Sequence, residues 1–177
     1  DIKGTRGRIL DRNGVVLAYS KNSYNVEFLR DADNRTDYDS ATYTDSLIKA
    51  IKIIEDGGGK TIDTSYIRLG EDGRLEYDWG VKSRAARYKN FCQSVGFNIT
   101  ESLKKNEKIE DKSRWDTSTW PTAEEAYTKL RALWFIPEDL SFEDANKVIS
   151  IRQEVLLNNY RAYEPITLAY DASMEAV

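Results

Sequence analysis

Hydrophobic and polar positions change their period several times along the chain. Residues 8–10 and 15–19 are β-prone runs on either side of Asp11-Arg12-Asn13-Gly14. Asn-Gly tolerates positive φ at both centres of a tight turn, so the pattern predicts a hairpin. Tyr24, Val26 and Phe28 then alternate with Asn25, Glu27 and Leu29, the period of a strand with one buried face. The Asp-rich stretch 30–43 reads as a solvated connector. Leu47, Ile48, Ile51 and Ile54 follow at helical spacing, and Gly57-Gly58-Gly59 ends that helix. Residues 65–69 and 74–79 flank Glu71-Asp72-Gly73, a second hairpin signal, and 85–95 predict a short helix before Gly96.

Two capped helices are expected next. Thr122 with Glu125 fits a capping box, ahead of a stripe of Ala126, Tyr127, Leu130, Leu133 and Trp134. Ser141 with Asp144 opens another, carried by Ala145, Val148, Ile149, Val155 and Leu156. Behind Pro165 the period returns to two, with Ile166, Leu168 and Tyr170 on one side of a strand. Terminal strands often meet in space, so the expected fold is α+β: a small antiparallel sheet built from both chain ends, carrying an inserted helical and hairpin subdomain. The expected segments are 1–30 for the first sheet strands, 31–160 for the insertion and 161–177 for the return strand.

Composition narrows the chemistry. The 177 residues are 40% hydrophobic and 11% aromatic, enough to bury a core. Lys and Arg number 26 against 30 Asp and Glu, a net charge of -4 that argues against nucleic acid as partner. One cysteine, Cys92, and no histidine exclude an internal disulfide, and with them the usual zinc sets and the Ser-His-Asp and Cys-His nucleophile arrangements. Neither a metal, nor a cofactor, nor a catalytic residue is expected. No run approaches the roughly 20 apolar residues of a membrane span, and the start Asp1-Ile2-Lys3 lacks signal-peptide character. The missing initiator Met points to a piece cut from a longer chain, which leaves room for a membrane anchor upstream.

Several local patterns carry less than they suggest. Gly4-Thr5-Arg6-Gly7-Arg8 leads into a strand, and Gly57-Gly58-Gly59-Lys60-Thr61 follows a helix. A phosphate loop needs a strand before it and a helix N-terminus after it, so the second stretch reads as a helix stop and flexible corner. The Ser-x-x-Lys tetrads Ser46–Lys49 and Ser102–Lys105 have acyl-serine spacing, but no Lys-Thr-Gly completes the set. Residues 84–114 hold eight Lys or Arg against four Asp or Glu, which reads as a solvated helix face. Trp115 and Trp120 are expected to be buried under the helix that follows them. Arg152 falls on the apolar side of the last helix, so its guanidinium is expected to meet a carboxylate, as a buried ion pair, or helix-end carbonyls.

The stretch "RGRILDRNGVVLA" resembles the first signature of class B penicillin-binding proteins, through Arg6, Gly7, Asp11, Arg12, Asn13, Gly14, Leu17 and Ala18. Residues 140–173, "LSFEDANKVISIRQEVLLNNYRAYEPITLAYDAS", are similar to the family's helix and its return to a pedestal strand. The resemblance implies the N-terminal, non-catalytic pedestal or dimerisation region of a bacterial peptidoglycan D,D-transpeptidase. It implies an extracytoplasmic location behind an upstream membrane anchor, and a parent whose C-terminal domain forms an acyl-serine intermediate and binds β-lactams. The implied partners are that transpeptidase domain, a SEDS-family glycosyltransferase, and elongation or division scaffold proteins. Within the signature, Asn13-Gly14 would form the corner, Asp11 would bond turn amides, and Arg6 and Arg12 would tie neighbouring strands. Two readings of other classes stand beside it: a stand-alone extracytoplasmic ligand- or glycan-binding domain, and a hydrolase using paired carboxylates, for which no pair is identifiable.

Overall fold

A computed structural model of the chain describes residues 6–10, 16–20, 25–29, 37–80, 84–157 and 166–171, with side-chain detail for 39–80 and 84–157. The fold is α+β, with helices and two antiparallel sheets among these residues. Strands β1 (Arg6–Leu10), β2 (Val16–Ser20) and β3 (Asn25–Leu29) form an antiparallel meander in which Leu10 faces Val16, and Val16 faces Leu29. The expected opening hairpin is therefore present, although its corner, residues 11–15, lies outside the described residues. The last strand, β7 (Ile166–Asp171), pairs with β3 on one side and with β4 (Gly59–Thr61) on the other. The order β1-β2-β3-β7-β4 makes the C-terminal strand an interior one, so both chain ends share a single sheet.

Two sequence expectations need correction here. The stretch from Gly57 to Thr61 does stop the helix, with Gly58 at φ 84, but Gly59–Thr61 then pairs with residues 169–171 as an edge strand instead of forming a flexible corner. A three-residue strand beginning in glycine has too little side-chain pattern to show itself, and only its β7 neighbour defines it. The acidic connector is likewise half helix: α1 (Asp37–Asp56) begins well before Leu47, and Tyr43 and Thr44 are buried within it. Acidic residues are favourable at a helix N-terminus, where the backbone dipole is positive.

The chain divides into two compact units, residues 1–64 with 131–177, and residues 65–130. Both unit boundaries fall inside the 31–160 segment. In the first unit, α1 packs against α5 (Phe142–Leu157), burying Leu47 and Ile51 against a helix whose Ala145, Val148, Ile149 and Ile151 are also inside. Removing a side chain such as that of Leu47, 1% exposed, would cost about 2–5 kcal/mol. Ser141 caps α5 as expected, accepting the Asp144 N–H at 3.2 Å.

The second unit begins with the expected Asp-Gly hairpin, β5 (Ile67–Leu69) and β6 (Leu75–Tyr77). Gly73 takes φ 79, and Asp72 accepts the Arg74 N–H at 3.0 Å to close the turn. Helix α2 (Arg84–Val95) ends at Gly96 with φ 93. A short helix absent from the sequence reading, α3 (Thr100–Asn106), is fixed at its end by buried Asn106. The Asn106 amide donates to Ser102 O and Asp116 O, and its Oδ1 accepts Asp116 N–H at 2.9 Å. Helix α4 (Ala123–Leu133) opens with the expected capping box, in which Glu125 N–H donates to Thr122 Oγ1 at 3.1 Å. This helix crosses the second unit boundary.

Candidate functional site

The signature residues fall on the first two strands: Arg6 and Gly7 in β1, Leu17 and Ala18 in β2. Register brings Arg8 opposite Ala18, Ile9 opposite Leu17, and Gly7 opposite Tyr19, and extends through Leu17 to Phe28 on β3. Asp11, Arg12, Asn13 and Gly14 lie outside the described residues. The signature thus occupies one hairpin, and that hairpin forms one side of the sheet the C-terminal strand completes.

Arg152 is the best-defined polar feature of the first unit. Its Nη1 donates to Ser40 O at 2.9 Å and to Thr44 Oγ1 at 2.8 Å. The guanidinium carbon also lies 4.4 Å from the Tyr43 ring centre and 5.4 Å from that of Trp134. Planar guanidinium stacks on aromatic faces while still donating in its own plane, which an ammonium cannot do. The Thr44 hydroxyl passes the network on by donating to the Trp134 carbonyl, and Ser40 Oγ donates to Leu133 O at 3.4 Å. Arg152 therefore meets a carbonyl within the first turns of α1, joined by aromatic faces that the sequence did not announce. Tyr43 lay in the expected connector and Trp134 in the expected continuous stripe.

Thr44 and Ser40 hold the corner that ends α4. Ile136 N–H reaches back to Arg131 O at 3.0 Å and Phe135 N–H to Ala132 O at 3.3 Å, the paired bonds of a Schellman cap. The residue at the left-handed position is Phe135, with φ 52, where glycine is usual. A Cβ there costs about 1–2 kcal/mol. Ile136 is buried, and Arg131 donates to Pro137 O, so the corner is held from both directions. Leu133 and Phe135 are instead 44% and 45% exposed, which corrects the expectation that Leu133 belongs to the buried stripe.

About one to three turns beyond Thr44 along α1 is a cavity of about 240 Å³ between α1 and α5. Ile48, Ile51, Leu140 and Val148 contribute its apolar lining, and Lys52, Glu55, Asp56, Asp144 and Lys147 its charged residues. Lys147 Nζ lies 2.7 Å from Glu55 and 3.4 Å from Asp144, contacts that raise its pKa, first through the Glu55 hydrogen bond.

The second unit is organised around aromatic rings. Tyr77 stacks on Trp79 at 4.5 Å, Trp79 lies 4.7 Å from Tyr88, and Tyr88 meets Trp120 edge-on at 4.8 Å. Tyr77 and Tyr88 both donate to Pro121 O, Tyr77 at 2.8 Å. Burial, first, pushes the Tyr88 phenol up to about 12 and raises that of Tyr77 further. Burial likewise pushes the Cys92 thiol up to about 12, so it is not a nucleophile near neutrality. Trp120 is buried as expected, whereas Trp115 is half-buried with Lys112 Nζ 5.8 Å from its ring centre. Both Ser-x-x-Lys tetrads serve structure: Ser102 Oγ accepts the Trp120 indole N–H, and Lys49 pairs with Asp45 at 2.9 Å. Among the described residues no cluster of three or more His, Cys, Asp or Glu could hold a metal ion, and no helix is long and apolar enough to cross a membrane.

A comparison with protein-family models matches residues 1–177 to the penicillin-binding protein dimerisation domain. The chain belongs to that family. The match covers both the β1–β2 hairpin and residues 140–173 with α5 and β7, the two stretches on which the resemblance rested. It places the chain among the non-catalytic regions of penicillin-binding proteins. No individual curated protein matches the chain.

Proposed function

We propose that this domain is the pedestal of a membrane-anchored bacterial peptidoglycan transpeptidase, holding the penicillin-binding domain in position and contacting other wall-synthesis proteins. The family match over residues 1–177 carries the reading. The sheet supports it: a base that takes strands from both chain ends resists being pulled apart more than one made from a single end. In this reading, residues 1–30 and 161–177 belong to the pedestal and 31–160 to a head, except that Gly59–Thr61 of that segment adds the pedestal sheet's edge strand. The parent adds an anchor upstream and a serine D,D-transpeptidase domain downstream, and works on the outer face of the cell membrane. A SEDS-family glycosyltransferase and elongation or division scaffold proteins are the partners expected to read its surface.

The test is a double Arg12→Ala, Gly14→Val variant of the intact transpeptidase. Retained labelling by a fluorescent penicillin shows that the catalytic domain is folded. Loss of cross-linking in cells, or of partner capture, alongside that labelling supports a positioning role. Normal wall growth with normal partner capture refutes it.

A further inference from the structure

We propose that the cavity between α1 and α5 is a binding site for an aliphatic primary ammonium, a cationic head on a short hydrocarbon stem. Ile48, Ile51, Lys52, Glu55 and Asp56 follow one another at helical spacing and form one stripe of α1, and α5 supplies the opposite wall. Ile51 and Val148 are buried and Ile48 and Leu140 half-buried, so the floor is apolar. Lys52, Glu55, Asp56 and Asp144 are exposed, so the charges stand at the lip. A volume of about 240 Å³ over such a floor is enough for a short alkyl chain, since roughly 150 Å³ suffices for benzene in an engineered protein cavity.

The sign of the ligand's charge follows from how the lip charges are already committed. Lys147 is held by Glu55 at 2.7 Å and by Asp144 at 3.4 Å, so these three groups largely satisfy one another. Asp56 has no ion pair among the described residues. Lys52 precedes it by one turn, the less favourable order for such a pair, and the two form no bridge. Asp45 and Lys49, in the favourable order on the same helix, pair at 2.9 Å. The three carboxylates of the cavity exceed its two ammoniums by one negative charge.

The helix ends add to that excess. The last turn of α1 carries Glu55 and Asp56 and no basic residue, although its carbonyls form the negative pole of the backbone dipole. The positive pole of α5 is already met, by Ser141 accepting the Asp144 N–H and by the acids Glu143 and Asp144 in its first turn. Asp56 is thus a charge the unliganded fold would be more stable without, placed beside an apolar hollow. A bound cation reverses that penalty, and the hydrocarbon attached to it displaces water from the floor. A stem of about four carbons ending in an ammonium occurs as a free amine and as the side chain of lysine in a peptide, and either presents the same chemistry to the site.

Methyl NMR of the 177-residue chain titrated with hexylammonium tests this. Saturable shifts are expected at Ile48, Ile51, Leu140 and Val148, with a Kd on the order of 1 mM. Butylammonium should bind roughly tenfold more weakly, since each buried methylene contributes up to about fourfold. Hexanoate, of the same length and opposite charge, should bind at least about tenfold more weakly than hexylammonium. Asp56→Asn should weaken hexylammonium at least about threefold without lowering the melting temperature, whereas Asp45→Asn, on the same helix outside the cavity, should change it less than about twofold. Acetylated and amidated lysine binding more tightly than butylammonium, whose stem is equally long, assigns the site to a peptide side chain. Weaker binding assigns it to a free amine, and both outcomes support the cation site. No saturable shift at about 20 mM, hexanoate binding as tightly as hexylammonium, or equal effects of Asp56→Asn and Asp45→Asn would each overturn it.

Discussion

Arg152→Ala is the most informative single perturbation of the first unit. It removes two hydrogen bonds from a charged donor, to Ser40 O and Thr44 Oγ1, and two aromatic contacts, to Tyr43 and Trp134. Charged hydrogen bonds contribute about 1.5–3 kcal/mol each, and a partly desolvated cation–π contact about 0.5–1 kcal/mol. Arg152 is only half-buried and the contacts share one group, so water recovers part of the loss. The expected net cost is about 3 kcal/mol, a fall in Tm of roughly 10 °C for a unit of this size. Arg152→Lys should recover less than half, since an ammonium keeps the charge but not the stacked plane. Because the chain has two compact units, the assay should be native-state hydrogen exchange under increasing urea. Protection should fall in α1 and α5, with α2 and α3 unchanged. An Arg152→Ala protein with parental protection in α1 and α5 would refute the cage as a source of stability.

The second unit yields three further expectations. Tyr77→Phe and Tyr88→Phe should each cost about 1 kcal/mol, and the double variant more than their sum, because either phenol alone still satisfies Pro121 O; denaturant titration of the four proteins checks this. Raised acid groups stabilise the fold below their unfolded pKa and lose that contribution as pH rises through the folded value. The Cys92 contribution should therefore decline from about pH 9 and the Tyr88 contribution from about pH 10, both exhausted near 12; circular dichroism and urea midpoints between pH 8 and 12 would show the loss, and a flat profile would contradict it. Thr122→Ala should cost about 1 kcal/mol through loss of the α4 cap, with Thr122→Ser nearly neutral, as read from thermal melts.

Features dictated by local chemistry were legible in the sequence. Asp72-Gly73 located the β5–β6 hairpin because Gly73 accepts the positive φ of its turn, and Thr122 and Ser141 located the starts of α4 and α5 because their hydroxyls meet orphan amides. Features set by distant partners were not. Strand β4 exists because β7 arrives beside it, and the shift between Val26 and Glu27 leaves Leu168 without a register partner on β3. Nothing in the residues around Phe135 signalled a Schellman cap, because the glycine that normally announces one is absent. Arg152 was singled out by its place on the apolar side of α5, but its aromatic neighbours come from α1 and from the end of α4.

The interior position of β7 also bears on the order in which the polypeptide can acquire its shape. Strands β1 to β3 are made first, yet the neighbour that covers the open side of β3 is encoded about 140 residues later. At ordinary elongation rates that interval is on the order of ten seconds. During it, the opening meander must wait with unpaired backbone amides and carbonyls along β3. A nascent chain in that state is a substrate for strand-capturing chaperones and a hazard for pairing with its neighbours on a polysome. Ribosome-stalled chains ending before and after residue 171 should therefore differ sharply in protease resistance of the first thirty residues.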